Sequence, residues 1–309
     1  MTANVPSPTS SLAVIETSGF PDYRLLDSGH GRKLERFGEI VVDRPEPQAL
    51  WRPHLEAARW SNAHAVFSAE GDEEAGKWRR DRPVPESWVL RLDDVSVLAR
   101  LSAFRHLGLF PEQMPHWLWM RAMIERLRGE LGGERPRVLN LFAYTGAASL
   151  LAARAGAEVV HVDASKKAIA WARENQAASG LADAPIRWIV EDARKFVARE
   201  VRRNRSYHIV LVDPPKFGRG PEGEIWELLE HLPALLKDCG QLLDRRSSAL
   251  VLTAYAIRAS ALAFGQLTAE VLDGRGGTFE VGELAIREEA GRRCVPASLF
   301  TRWTSGHGA

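Results

Sequence analysis

The run Val210-Leu211-Val212-Asp213-Pro214-Pro215-Lys216-Phe217 joins a buried-strand pattern to an acid, two prolines, a lysine and an aromatic ring. Prolines directly after a strand stiffen the chain and remove two backbone donors. They would hold a carboxylate and rigid carbonyls at the strand's end. Such a group suits an in-line displacement governed by orientation, with a nucleophile held against an electrophilic carbon. A rigid strand-to-loop exit without chemistry is the competing reading. Further candidates stand at other strand ends. Ala143-Tyr144-Thr145-Gly146-Ala147 is a small-residue turn opening a helix, where glycine lets backbone approach a ligand and the helix N-terminus offers free N–H groups. Asp163 lies 17 residues beyond Gly146, placed to accept hydrogen bonds from ribose hydroxyls. Asp192, after Glu191, is in reach of an adenine amino group. Ala164 and Ala193, next in the chain, join the candidate contacts. Each acid alone also suits a helix N-cap. Together, at consecutive strand ends, they describe a pocket for an adenosine-bearing cofactor.

The elements that must position these residues follow from periodicity. Apolar runs at 138–142, 159–163, 186–190, 207–213 and 250–253 alternate with helix-period segments at 146–155, 166–179, 193–202 and 260–272. A further helical stretch carries Ile225, Leu228, Leu232 and Leu236 on one face, and two strands near 279–284 and 298–303 close the chain. This alternation predicts an α/β fold with a parallel sheet covered on both faces. Such sheets bind ligands beyond the carboxyl ends of their strands, near the point where strand order reverses. A helix is expected over 117–131. Residues 21–103 read as a small β-rich domain with strands at 38–42, 63–68, 88–92 and 95–101, its core filled by Trp51, Trp60, Trp78 and Trp88. Residues 1–20, rich in Ser, Thr and Pro, read as a flexible tail. The α/β domain takes 104–309.

Composition narrows the field. The 309 residues are 45% hydrophobic and 26% charged, ordinary for a globular chain and unlike a disordered or fibrous one. The longest uncharged apolar stretch, 247–257, falls short of the ~20 residues a membrane helix needs. The first residues lack the basic start of a signal peptide. Two cysteines, Cys239 and Cys294, make neither a disulfide framework nor a four-ligand zinc site. No metal and no membrane are expected, and the expected location is the cytoplasm. With 41 basic against 40 acidic residues the formal charge is +1, which neither demands nor forbids a nucleic-acid partner.

The segments NLFAYTGAAS, HVDASKKAIAWARENQAASGL, VEDARKF and VLVDPPKFGRG, in this order, resemble a class I S-adenosylmethionine-dependent methyltransferase. Within that superfamily the chain is similar to the bacterial large-subunit rRNA methyltransferase I-like group, over most of 104–304. The resemblance implies a Rossmann-like seven-stranded sheet with its last strand antiparallel, and S-adenosyl-L-methionine as cofactor. It implies cofactor contacts at Phe142, Gly146 and Ala147, ribose binding at Asp163 and adenine-side binding at Asp192. The Phe110-Pro111-Glu112-Gln113 element matches a segment that closes over the cofactor in related enzymes, which adds Gln113 to the contacts.

Two departures bear on the substrate. Relatives that make 5-methylcytosine use a cysteine nucleophile after the fifth strand, because activating a pyrimidine C5 covalently needs a thiolate. Here the segment reads Thr253-Ala254-Tyr255-Ala256-Ile257-Arg258, with Ala256 at the cysteine position. The N-terminal segment also differs from the RNA-binding module of some relatives. Transfer to nitrogen, or to an oxygen, remains, with nitrogen favoured: in N-methyltransferases with an Asn/Asp-Pro-Pro-aromatic motif the acid and a proline carbonyl accept amine protons and the aromatic stacks on the base. Asp213 matches that acid, while Lys216 replaces the aromatic, which leaves stacking to Phe217 one place later and Lys216 either meeting a phosphate or keto oxygen or remaining solvated. The expected substrate is ribosomal RNA. Supporting basic strips are Lys77-Trp78-Arg79-Arg80-Asp81-Arg82 and Arg287, Arg292 and Arg293, each of which also suits a solvated turn. A protein or small-molecule acceptor, or a non-catalytic cofactor-binding RNA module, remain the alternatives. Oligomeric state is left open.

Overall fold

The computed structural model describes residues 12–69, 75–255 and 257–306. Strand β1 (Ala13–Thr17) precedes a five-stranded sheet of β2 (Tyr23–Gly29), β3 (Arg32–Phe37), β4 (Ile40–Pro45), β5 (Ala65–Ser68) and β6 (Lys77–Arg80), with a short helix α1 (Ala57–Trp60) before β5. A hairpin of β7 (Trp88–Leu92) and β8 (Val95–Ala99) follows. Strands β2 and β3 escape the sequence pattern because charged residues crowd them. Glu35 is wholly buried there, held by Arg44 at 2.6 and 2.8 Å and by the Tyr23 hydroxyl at 2.8 Å. The four tryptophans do not fill this core. Tyr23, Leu25, Phe37, Phe67 and Leu90 do, while the indoles sit half-buried at its edge. Each indole N–H is donated to an acceptor there, Ser28, Asp27, Phe104 and Phe37 respectively, because a buried N–H needs a partner.

Helix α2 (Met114–Glu130) leads into β9 (Arg137–Leu141), α3 (Ala147–Arg154), β10 (Glu158–Asp163), α4 (Lys166–Ala178), β11 (Ile186–Val190), α5 (Ala193–Arg202) and β12 (Ile209–Val212). Then come a small pair, β13 (Phe217–Arg219) and β14 (Ile225–Glu227), and α6 (Leu228–Leu242), β15 (Ala249–Tyr255), α7 (Ala261–Val271), β16 (Thr278–Arg287) and β17 (Cys294–Thr304). Ile225, expected on the helix, pairs instead with Arg219 in the β13–β14 ladder. The large sheet runs β11-β10-β9-β12-β15-β17-β16-β1. The five strands β11, β10, β9, β12 and β15 are parallel, and β17 is antiparallel to both its neighbours.

The seven expected strands are therefore joined by an eighth. Ala13–Thr17, assigned from sequence to a loose tail, pairs in parallel with β16 from Gly282 to Ile286. A five-residue strand whose partner lies at the far end of the chain leaves no local signature. Residues 1–11 of that expected tail lie outside the described residues.

Alternate strand residues feed two cores, as a pleated sheet requires. Val138, Val159, Ile209 and Val251 join a cluster continuous with Tyr23 and Phe37 of the N-terminal sheet. Leu139, Val160, Val210 and Leu250 face the cluster lined by α5 and α6. The hairpin is bolted to the α/β half: Asn175 Oδ1 accepts from Leu98 N and Ser179 Oγ from Ser96 N. No helix among the described residues is long and apolar enough to cross a membrane.

Candidate active site

Strand order reverses between β9 and β12, and a cleft opens above their carboxyl ends. Gly108–Phe110, Gln113, Trp117, residues 142–148, Val212, Asp213 and Thr253 line it. The loop after β9 puts Phe142, Tyr144 and Gly146 at φ of 55°, 50° and 87°. Left-handed backbone is unfavourable for side-chain-bearing residues, so the loop must be held from outside. Tyr144 N donates to Asp163 Oδ2 at 2.8 Å and Ala143 N to Val162 O at 3.1 Å. Thr145 Oγ1 donates to Gly108 O at 2.6 Å, and Asn175 Nδ2 donates to Thr145 O at 2.9 Å. Asn175 thus ties this loop to the N-terminal hairpin. Beneath it, Asn140, Ser149 and His161 form a buried hydrogen-bonded row, and burial pulls His161 down to about 3, keeping it neutral.

Gly146 is required for two reasons. It takes a positive φ, and a Cβ there would come within 3.1 Å of the Ala172 Cβ and 3.4 Å of the Trp188 ring. Gly146→Ala is expected to cost about 1–2 kcal/mol of stability, read as a lowered Tm, and to weaken cofactor binding along with it.

Gly146 caps α3 without a side-chain hydrogen bond, leaving the first helical N–H groups free of a side-chain cap on the cleft side. Asp163 accepts Tyr144 N with one oxygen and Ser165 N with the other, both at 2.8 Å. A carboxylate has about four acceptor positions, so each oxygen retains one for a ligand hydroxyl. Burial raises its pKa, opposed by those two backbone bonds. Asp192 is the N-cap of α5: its Oδ1 accepts Arg194 N at 2.9 Å and Lys195 N at 3.1 Å. That oxygen serves the helix, and Oδ2 is the one left for a ligand. Ala164 and Ala193 follow these acids, Ala193 buried. The structure therefore splits the expected contacts. Gln113, Phe142, Ala143, Tyr144, Gly146 and Ala147 line the cleft itself, while Asp163, Ala164, Asp192 and Ala193 stand at the neighbouring strand ends.

At the other end of the cleft, Asp213 Oδ1 accepts from Thr253 Oγ1 at 2.6 Å, and Oδ2 from Gln113 Nε2 at 3.3 Å; Gln113 Nε2 also lies 3.2 Å from Thr253 Oγ1. Burial pushes Asp213 up to about 6, with the Thr253 bond pulling the other way. Glu112, buried beside it, is pushed up to about 7 by the same desolvation. The two prolines differ in role. Pro215 O accepts Trp226 Nε1 at 2.7 Å, so its carbonyl is taken. Pro214 is buried against the acid, and its carbonyl receives no hydrogen bond from the described residues. Lys216 is exposed, and its carbonyl accepts Leu228 N. The Phe217 ring is 51% exposed at the lip.

Thr253 and Trp226 escaped the sequence reading. Thr253 sits in the strand whose missing cysteine drew attention instead. Trp226 packs on Phe142 with ring centroids 4.8 Å apart and fixes the exit of the prolines, a pairing that only the β13–β14 ladder creates. Neither cysteine lines the cleft. Cys239 is buried in α6, its thiol pushed upward by desolvation, and the Cys294 thiol in β17 is hydrogen-bonded to the Glu16 carboxylate. Ala256, the expected cysteine position, lies outside the described residues. The basic strips are engaged in part: Arg79 pairs with Asp81 at 2.8 Å, Arg287 with Glu16, and Arg293 with Glu288 at 2.5 Å.

The family model for conserved hypothetical protein 95 matches residues 120–254. The ribosomal RNA large subunit methyltransferase K/L of Shewanella baltica is 34% identical over 151 residues, 46% of this chain and 20% of that protein. Its Pseudomonas aeruginosa counterpart is 32% identical over 156 residues, 50% of this chain and 20% of that protein. The chain thus spans about a fifth of the length of the curated relatives it matches. A crystal structure of the SAM dependent methyltransferase from Agrobacterium tumefaciens shares 49% identity and a TM-score of 0.91, covering 98% of this chain and 96% of that one. Matched over nearly its whole length, and with the strand order and strand-end acids described above, this chain belongs to the class I S-adenosylmethionine-dependent methyltransferases.

Proposed function

We propose that the protein transfers the methyl group of S-adenosyl-L-methionine to a nitrogen of a base in ribosomal RNA, in the cytoplasm. The observation that carries this reading is the half-buried Asp213 carboxylate, held by Thr253 and Gln113 in the same cleft as the 142–148 loop. When bound, the cofactor supplies a methyl group on a positively charged sulfur. Asp163 would hold two ribose hydroxyls on its open acceptor positions, and Asp192 the adenine amino group through Oδ2. Phe142, Ala143, Tyr144, Gly146 and Ala147 wall the cofactor, with Ala164 and Ala193 beside the two acids. Gln113 closes the cleft where cofactor and acceptor meet.

On the acceptor side, Asp213 and the Pro214 carbonyl receive the hydrogens of an amine nitrogen. Asp213 would take up the proton that the amine nitrogen gives up in exchange for the methyl group. Phe217 stacks on the base and Lys216 meets a phosphate or keto oxygen. A base in folded RNA must be unstacked to enter such a cleft. The names of the Shewanella and Pseudomonas relatives support ribosomal RNA as the acceptor class.

Thr253→Val tests how the acid is tuned. Because the Thr253 bond lowers the Asp213 pKa, its loss moves the rise of rate with pH to more alkaline values; an unmoved profile would separate Thr253 from the acid. The acceptor is tested by supplying methyl-labelled S-adenosylmethionine with ribosomal RNA from cells lacking this gene, total protein, or small metabolites. Label in RNA supports the proposal. Label confined to another pool refutes the acceptor while leaving the chemistry.

A further inference from the structure

The end of the sheet opposite the cofactor cleft holds a second cavity, of about 870 Å³. It lies beneath the amino ends of β9, β12 and β15, where Val138, Ile209 and Ala249 are level in the register. The three loops that enter these strands bring arginines to it: Arg135 and Arg137 before and at β9, Arg205 before β12, Arg245 and Arg246 before β15. Ser206, Asn204 and His208 add neutral polar groups.

Several guanidinium groups elsewhere are matched to carboxylates, as in Arg32–Asp43, Arg44–Glu35, Arg199–Glu191, Arg293–Glu288 and Arg302–Glu280. Among the described residues, Arg135, Arg205, Arg245 and Arg246 have no carboxylate within 4.0 Å, and all four are exposed. Arg137 donates to Ser206 Oγ at 2.7 Å. The acids of the cavity are Glu134, Glu158 and Asp244, and Asp244 is partly committed, its Oδ1 accepting Arg246 N at 2.9 Å. Five arginines therefore face three acids. The nearby Arg275 guanidinium, hydrogen-bonded to Gly240 O, has its pKa lowered first by burial and then by Arg245, as expected where positive charge accumulates.

We infer that this basal cavity is a second binding site, taking the phosphodiester backbone of the RNA substrate at a distance from the methylated base. Adjacent strands lie ~4.8 Å apart, so arginines from three neighbours spread over about 10 Å. Successive phosphates of one strand follow at ~3.4 Å along a duplex axis, so the row meets more than one. Guanidinium forks suit phosphate oxygens, and contacts of this kind position a nucleic acid without reading its sequence. The inference rests on RNA being the acceptor.

The test is binding of a mixed-sequence RNA hairpin across a salt series, for the wild type and for Arg135→Gln/Arg205→Gln/Arg245→Gln. All three positions are exposed loop residues, and cofactor affinity serves as the check on folding. Removing one arginine from a phosphate lowers the slope of log affinity against log salt by about 1, so the triple variant is expected to fall by up to about 3 in slope and to bind weakly at low salt. Glu134→Gln, which removes an opposing charge, is expected to bind more tightly. If the wild type binds RNA and the triple variant binds equally with the same slope, the basal site is refuted while the RNA reading stands. If the wild type fails to bind RNA at any salt, both fall together.

Discussion

Asp213→Ala is expected to reduce methyl transfer by roughly two to four orders of magnitude, the range a positioned proton acceptor contributes, while cofactor affinity changes little. The separation follows from geometry. Asp213 sits on the β12 side of the cleft with Thr253 and Gln113, away from Asp163, which anchors the opposite wall through Tyr144. Single-turnover rates with saturating cofactor measure the first effect and calorimetry the second. The pH dependence has a definite sign. A proton acceptor works only when ionised, and burial places Asp213 at about 6. Transfer should therefore climb as pH rises through about 6 and level off above it. The residual rate of Asp213→Ala should lack that limb. A variant that retains near-normal turnover would remove Asp213 from the mechanism.

The second large effect is expected at Asp163. Hydrogen bonds to a charged group contribute about 1.5–3 kcal/mol each, and Asp163 has acceptor capacity for two ligand hydroxyls. Asp163→Ala should weaken cofactor binding by roughly a hundredfold to ten-thousandfold, part of it through the loop. Without the carboxylate, Tyr144 N loses its acceptor, and the left-handed turn at Tyr144 loses one of its restraints. Asp163→Asn, which keeps an acceptor oxygen, is expected to lose less. Equal affinity in the wild type and Asp163→Ala would mean that the cofactor lies elsewhere.

What the sequence shows and hides divides along physical lines. The α/β half was legible because buried parallel strands read as short apolar runs, and β11 and α5 fall at the residues their patterns predict. The acids at strand ends were legible because type and spacing together carry the signal. The N-terminal half was harder, since a sheet that buries Glu35 against Arg44 looks like surface in sequence. Strand β1 was hidden because its partner, β16, lies at the other end of the chain. The same limit hid Thr253 and the occupied Pro215 carbonyl. Hydrogen bonds from Thr253 to Asp213 and from Trp226 to Pro215 exist only once β15 and β14 are in place.

The N-terminal half is not an independent appendage to the cleft. Its core runs without a break into the residues under α3, and Asn175 bonds both the hairpin backbone and the loop after β9. Asn175→Ala is expected to destabilise the protein by about 1–3 kcal/mol, since it leaves Leu98 N and Thr145 O without their partner. A matching loss of cofactor affinity would show that the hairpin helps to set the loop.

The central claim is that Asp213 directs a methyl group to nitrogen without a covalent intermediate. The direct measurement is digestion of the labelled ribosomal RNA to nucleosides after reaction with the purified protein, with the methylated atom identified by mass spectrometry. The account predicts an N-methylated base whose formation depends on Asp213. Label at C5 of a pyrimidine, formed equally well by Asp213→Ala, would contradict it.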